Sequence, residues 1–144
     1  MEALKLGLSA EVSEFVTEQL TAVSVRSGLV SAYATPSMLA LMEHASVTAI
    51  QKSLSKGQTS VGVEVTVKHL AATPVGVRVH ARAEVIAIEG RRVTFKIEAW
   101  DPKEKIGEGT HARVVVDAAR FKDKVEQKLR SSRQSYVIAP TGEA

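Results

Sequence analysis

A chain of 144 residues without cysteine is long enough for one domain with a sizeable core, and it excludes a disulfide framework or a thiolate metal site. Hydrophobic residues make up 44% and charged residues 24%, an ordinary globular balance, and a net charge of +3 gives little case for nucleic acid as a partner. The apolar runs are far too short for a membrane span, and the start M-E-A-L-K-L-G-L-S-A lacks the basic-then-apolar order of a secretion signal, so a cytoplasmic protein without a membrane partner is expected.

Residues 1–10 read as a lead-in. From Glu11 to Leu20 the broken alternation of Val12, Phe15, Val16 and Leu20 predicts a strand, and the small residues of Arg26–Ala34 predict a loop. The stretch from Thr35 to Leu54 predicts a long helix. Thr35 or Ser37 can cap it, Pro36 suits its first position, and Gly57 lies in its C-cap region. Between Met38 and Ile50 it is apolar on almost every side, which predicts burial all round, yet Glu43 sits in its middle.

After Gly57 the period switches from 3.6 to 2. Val61, Val63, Val65 and Val67 alternate with polar residues and Gly62 up to His69, a strand. Thr73-Pro74 and Gly76 form a turn. Two alternating runs, Val77–Ala87 and Val93–Ala99, joined through Glu89-Gly90, predict a β-hairpin. Asp101–Glu104 turns into a last strand from Lys105 to Asp117. From Ala118 the stripe Phe121, Val125, Leu129 predicts a helix, and residues 131–144 lose that period and read as a flexible tail outside a single domain of residues 1–130. One strand, one long helix and four further strands exclude a βαβ repeat. They predict an α+β fold, a curved antiparallel sheet wrapped around one long central helix, plus a C-terminal helix.

Glu43 is the sharpest candidate residue, because a carboxylate in an apolar setting must be paired, protonated or functional. Structural pairing with an arginine competes with a chemical role. His69, at a strand end facing a turn, is its best intrachain partner, although such a histidine can be purely structural. Thr35 is first a helix cap. It stands eight residues before Glu43, roughly 12 Å along a helix axis, so the two cannot touch unless the regular helix starts later. Gly62 marks either a bulge or a close approach by another group. Gly107–Ala112 matches G-x-G-x-x-A but is followed by the strand R-V-V-V-D, where a dinucleotide site needs a helix N-terminus. His44, His80 and His111 show no metal-ligand spacing. The basic segment Arg120–Arg133 reads as a solvated face, or as a surface for the phosphates of a nucleotide-bearing substrate.

The segments A-T-P-S-M-L-A-L-M-E-H-A, V-T-V-K-H-L-A-A-T-P-V-G, I-E-G-R-R-V-T-F-K-I-E-A-W-D and I-G-E-G-T-H-A-R together resemble the fluoroacetyl-CoA thioesterase branch of the hotdog-fold acyl-CoA thioesterase superfamily. The resemblance implies the hotdog fold, a catalytic group formed by Thr35, Glu43 and His69, and a backbone amide of Gly62 facing the thioester carbonyl. It also implies a homodimer with sites near the subunit interface, coenzyme A as leaving group, and no metal or other cofactor. Where the fluoroacetyl-specific enzyme carries aromatic lid residues, this chain has Arg26 and Leu29, so a generic short acyl-CoA or another small thioester is expected. Glu43 then serves as nucleophile or as general base on water, and His69 moves protons. Thr35 orients the carboxylate or the water. The Gly62 amide contributes roughly 3 kcal/mol to the developing oxyanion. A non-catalytic acyl-CoA-binding or sensing dimer is the alternative from another class, and a hotdog dehydratase or isomerase is a third.

Overall fold

The computed structural model describes residues 3–135. Five strands, β1 (Ser9–Phe15), β2 (Gln58–His69), β3 (Arg78–Glu89), β4 (Arg92–Trp100) and β5 (Lys105–Asp117), form one antiparallel sheet in the order β1-β3-β4-β5-β2. Three helices accompany it: α1 (Ala22–Val25), α2 (Thr35–Ile50) and α3 (Ala118–Ser135). This is the expected α+β architecture. The β3–β4 hairpin closes through a two-residue loop in which Gly90 takes φ +61°, a left-handed conformation that hairpin turns demand and glycine adopts without a steric penalty. β2 follows α2 in the chain but lies at the far edge of the sheet, paired only with β5. No helix among the described residues is long and apolar enough to cross a membrane.

α2 lies on one face of the sheet, mainly over β1 and β3. Met38, Met42, Ala45 and Ile50 are fully buried against Val79, Ala81, Phe95 and Ile97, and burying each large apolar side chain contributes about 1.5–3 kcal/mol. Gly107 lets the helix come close, since a Cβ there would stand 2.5 Å from Met38 Sδ. Gly107 and Gly109 lie inside β5, in agreement with the rejection of a dinucleotide loop. Burial all round does not hold for the single chain. Ala40, His44 and Thr48 are exposed, and Leu39, Glu43 and Val47 half-buried, because α2 sits off-centre and the β2 end of its face has no cover.

Three boundaries differ from the sequence reading. β1 stops at Phe15 because its partner β3 begins at Arg78. The chain then makes a 3-10 turn at Glu18–Leu20 and enters α1, which Thr21 caps by accepting from Ser24 N. α2 ends at Ile50 and is followed by a 3-10 turn, Gln51–Ser53. α3 continues to Ser135, five residues beyond the loss of its apolar stripe, and the rest of the expected tail lies outside the described residues.

Candidate active site

The N-cap of α2 is Ala34, not Thr35 or Ser37, and it makes no side-chain cap bond. Thr35 occupies the first helical turn with its hydroxyl free for a distant partner, and its Oγ1 lies 2.7 Å from His69 Nδ1. Ala34 is set there by backbone bonds to residues distant in sequence. Its N–H donates to Leu20 O, and the N–H of Tyr33 donates to Thr73 O at 2.8 Å. The Tyr33 hydroxyl donates to Glu14, and burial together with that carboxylate pushes its pKa up.

Thr35 and His69 line a cleft of about 430 Å³, with Tyr33, Leu70, Ala71 and Ala72 among its walls. His69 Nε2 is buried with no hydrogen-bond partner among the described residues. Burial pulls the imidazole pKa below its ordinary value, and the Ala71 backbone offsets that only in part. The loop after His69 is clamped from below. Thr73 Oγ1 donates to Asp101 Oδ2 at 2.8 Å, and the amides of Lys103 and Glu104 donate to Oδ1 at 2.9 and 3.0 Å. Burial pushes the Asp101 carboxyl up, but these bonds and the Lys103 charge outweigh it and hold its pKa below the usual value.

Glu43 stands on the same helix two turns on and faces a different set of groups. Its Oε2 lies 3.5 Å from Arg113 Nη1 and 3.8 Å from His111 Nε2, and a Cβ on Gly62 would be 2.8 Å from it. Gly62 is thus both of the things it suggested, a close approach and the site of a register shift in β2. Arg113 is buried, a costly placement for a charge unless hydrogen bonds compensate. Nε donates to Ser60 Oγ at 2.8 Å and Nη2 to Ser60 O at 3.0 Å. His111 Nδ1 lies 2.8 Å from the carbonyl of Glu64. A carbonyl only accepts, so Nδ1 carries the proton and Nε2 accepts from Arg113 Nη1 at 3.2 Å. Burial and the neighbouring guanidinium lower the His111 pKa against the raising influence of the Glu64 carbonyl and of Glu43. The ring is neutral, and Arg113 is the charged partner of Glu43 among the described residues.

One chain therefore brings Thr35 to His69 and Glu43 to Gly62, but no hydrogen bond or ion pair joins the two pairs among the described residues. Sequence reasoning weighed His111 only as a metal ligand and passed over Arg113. The alternation of β5 held a usable signal. Positions 107, 109, 111 and 113 share a face, and on it two polar side chains follow two glycines opposite the helix that carries the acid.

Residues 16–119 match the family model FlK, described as fluoroacetyl-CoA-specific thioesterase. The fluoroacetyl-CoA thioesterase of Streptantibioticus cattleyicolor is 43% identical over 96 residues, which cover 67% of this chain and 69% of that protein. A solved structure of fluoroacetyl-CoA thioesterase FlK superposes with a TM-score of 0.83 at 33% identity, covering 88% of this chain and 98% of that one. A hot-dog-like protein from Thermanaerovibrio acidaminovorans gives a TM-score of 0.78 at 27% identity, over 85% of this chain and 91% of its own.

Proposed function

The chain belongs to the FlK family of fluoroacetyl-CoA-specific thioesterases, and on that premise we propose that it hydrolyses a small acyl-CoA, or a related acyl thioester, to the free acid and CoA. The observation that supports this most directly is Glu43, the single carboxylate of α2, 42% exposed, pressed over Gly62 and beside Arg113. In the nucleophilic route a carboxylate oxygen attacks the thioester carbonyl, the C–S bond breaks, and CoA leaves as the thiolate. Water then opens the mixed anhydride. In the general-base route Glu43 takes a proton from the water that attacks the same carbon. His69, whose pKa burial lowers, takes up the proton that the attacking water gives up, directly or from Glu43, and passes it to the CoA thiolate. Thr35 fixes the ring through Nδ1, and the Gly62 amide stabilises the oxyanion. No metal or cofactor takes part, and the reaction belongs to the cytoplasm. Leu29, 96% exposed near the mouth of the cleft, and Arg26 provide no aromatic cover over the acyl group, which supports a short acyl group not confined to fluoroacetyl.

The same proposal includes a homodimer. Thr35–His69 and Glu43–Gly62 are separated within one chain, and β2 is a 12-residue edge strand exposing Val63 and Val65 (49% and 38%), an open pairing surface that folded proteins normally cover. Antiparallel pairing of two β2 strands about Thr66, with Val63 as the extra residue at the register shift between Gly62 and Glu64, sets Gly62 opposite His69 of the partner subunit. Directly opposed residues share a face, about 5 Å apart across the strands, so each Glu43 faces the other chain's histidine. The exposed flank of α2 becomes buried in the same step.

The test is thiol release from a panel of acyl-CoAs by wild type, Glu43→Gln and His69→Ala. Hydrolysis of at least one short acyl-CoA, with large losses in both variants, is expected. If wild type cleaves none of them, or both variants keep full activity, the reading fails. Tight binding of intact acyl-CoA without thiol release identifies a sensing module instead.

A further inference from the structure

Where α3 leaves the sheet, a cleft of about 390 Å³ is lined by Gln58, Arg91, Asp117, Arg120, Phe121 and Lys124, with Val116 at its side. Three cations converge there against one acid. That acid is engaged, since Asp117 Oδ1 accepts from the Arg120 backbone at 2.9 Å. Among the described residues no carboxylate pairs with the side chains of Arg91, Arg120 or Lys124, and all three are exposed. Unpaired guanidinium and ammonium groups around one hollow attract a multiply charged anion, and arginine binds phosphate in bidentate fashion. Phe121, 39% exposed, adds a flat apolar wall on which a base can stack.

The cleft shares the α2 side of the sheet with Glu43. Gln58, Ser60 and Gly62 alternate onto one face of β2, and Ser60 is the residue that holds Arg113. From Gly62 to Gln58 is four residues, about 13 Å along a strand, within reach of a phosphopantetheine arm.

We infer that this cleft holds the nucleoside-phosphate end of coenzyme A, with its phosphates on Arg91, Arg120 and Lys124 and its adenine against Phe121. The inference rests on the acyl-CoA reading above and adds where the far end of the substrate is gripped. It separates two tasks along β2, with the thioester at Gly62 and the charged handle at Gln58.

The experiment compares wild type with the Arg120→Ala/Lys124→Ala double variant and with Arg91→Ala, on an acyl-CoA, its 3′-dephospho counterpart and the matching acyl-pantetheine. KM for the acyl-CoA is expected to rise at least tenfold in the double variant, less for the dephospho compound, while wild type and variant converge on acyl-pantetheine. Adenosine 3′,5′-bisphosphate should compete with acyl-CoA in wild type and lose that competition in the double variant. Equal KM changes for all three thioesters, or none, overturn the inference. If wild type cleaves none of the thioesters, the thioesterase reading fails on its own. Calorimetric titration with adenosine 3′,5′-bisphosphate then decides the cleft: binding that weakens tenfold in the double variant supports it, and no binding, or binding unaffected by the substitutions, refutes it. A variant that unfolds is replaced by Arg120→Gln/Lys124→Gln, which keeps most of the side-chain packing.

Discussion

A methyl group at position 62 separates activity from stability. The Cβ of Gly62→Ala would lie 2.8 Å from Glu43 Oε2, 3.2 Å from His111 Cε1 and 3.3 Å from Arg113 Nη1. Ordinary contact begins at 3.4 Å, so the carboxylate must retreat by about 0.6 Å while the two buried partners need move only a tenth or two. Glu43 is a long side chain, 42% exposed, and it can swing outward at little conformational cost. Removing a glycine also lowers the entropy of the unfolded chain, which offsets part of the crowding by about 0.4–1 kcal/mol. Stability is therefore expected to stay within about 1 kcal/mol of wild type. Catalysis is less forgiving, since a reacting group misplaced by ~1 Å costs on the order of 100-fold. A loss in kcat of roughly 10- to 100-fold, or about 1.4–2.7 kcal/mol in the barrier, is expected. Thiol release at saturating acyl-CoA measures the first quantity and urea unfolding the second. A kcat within twofold of wild type, in a variant as stable as wild type, refutes the placement of Glu43 at the reacting carbon.

Mixing Glu43→Gln with His69→Ala tests whether the site is shared between chains. After random subunit exchange, half the dimers are mixed and each has one intact pair, so about a quarter of wild-type activity should return; an inactive mixture shows that each chain builds its own site. Thr73→Val should destabilise the fold by about 1–3 kcal/mol, because it strips the buried Asp101 Oδ2 of its Thr73 donor, and an unchanged urea midpoint would count against the clamp. Burial lowers the pKa of both His69 and His111 from 6.5, so below about pH 6.5 the unfolded chain takes up protons that the native state refuses. Their contribution is fully present above pH 6.5 and is lost as pH falls through the lowered native values. The urea midpoint should drop from pH 6.5 to pH 5, and His111→Gln should drop less; equal slopes would show that His111 is not held neutral.

What local chemistry controls was legible in the sequence. The alternation that ends in Val114-Val115-Val116 and yields to a helical stripe placed β5 and the start of α3 correctly, and Glu89-Gly90 marked the hairpin. What failed depends on partners distant in sequence. β1 ends where β3 begins, a fact written 63 residues away, from Phe15 to Arg78. Thr35 has every local attribute of a cap, yet its hydroxyl is taken by His69, 34 residues on. The spacing of Thr35 and Glu43 correctly forbade direct contact, but sequence could not show that Thr35 would find its partner on β2 and Glu43 its charged partner on β5. Arg113 escaped notice because its meaning depends on Ser60 and on a helix laid across it.

The walls of the Thr35–His69 cleft differ in stiffness. On one side, Tyr33 N–H binds Thr73 O, an isolated bridge joins Ala32 to Pro74, and Thr73 is bolted to Asp101. On the other, residues 26–31 are all exposed and are closed at their neck by Val23 N–H to Val30 O at 3.2 Å. Opening the stiff wall means breaking buried hydrogen bonds, whereas the tip around Leu29 can lift by releasing little more than its neck. The Leu29 side is thus the wall that yields first, and amide hydrogen exchange should be fast at Gly28 and Leu29 and slow at Tyr33.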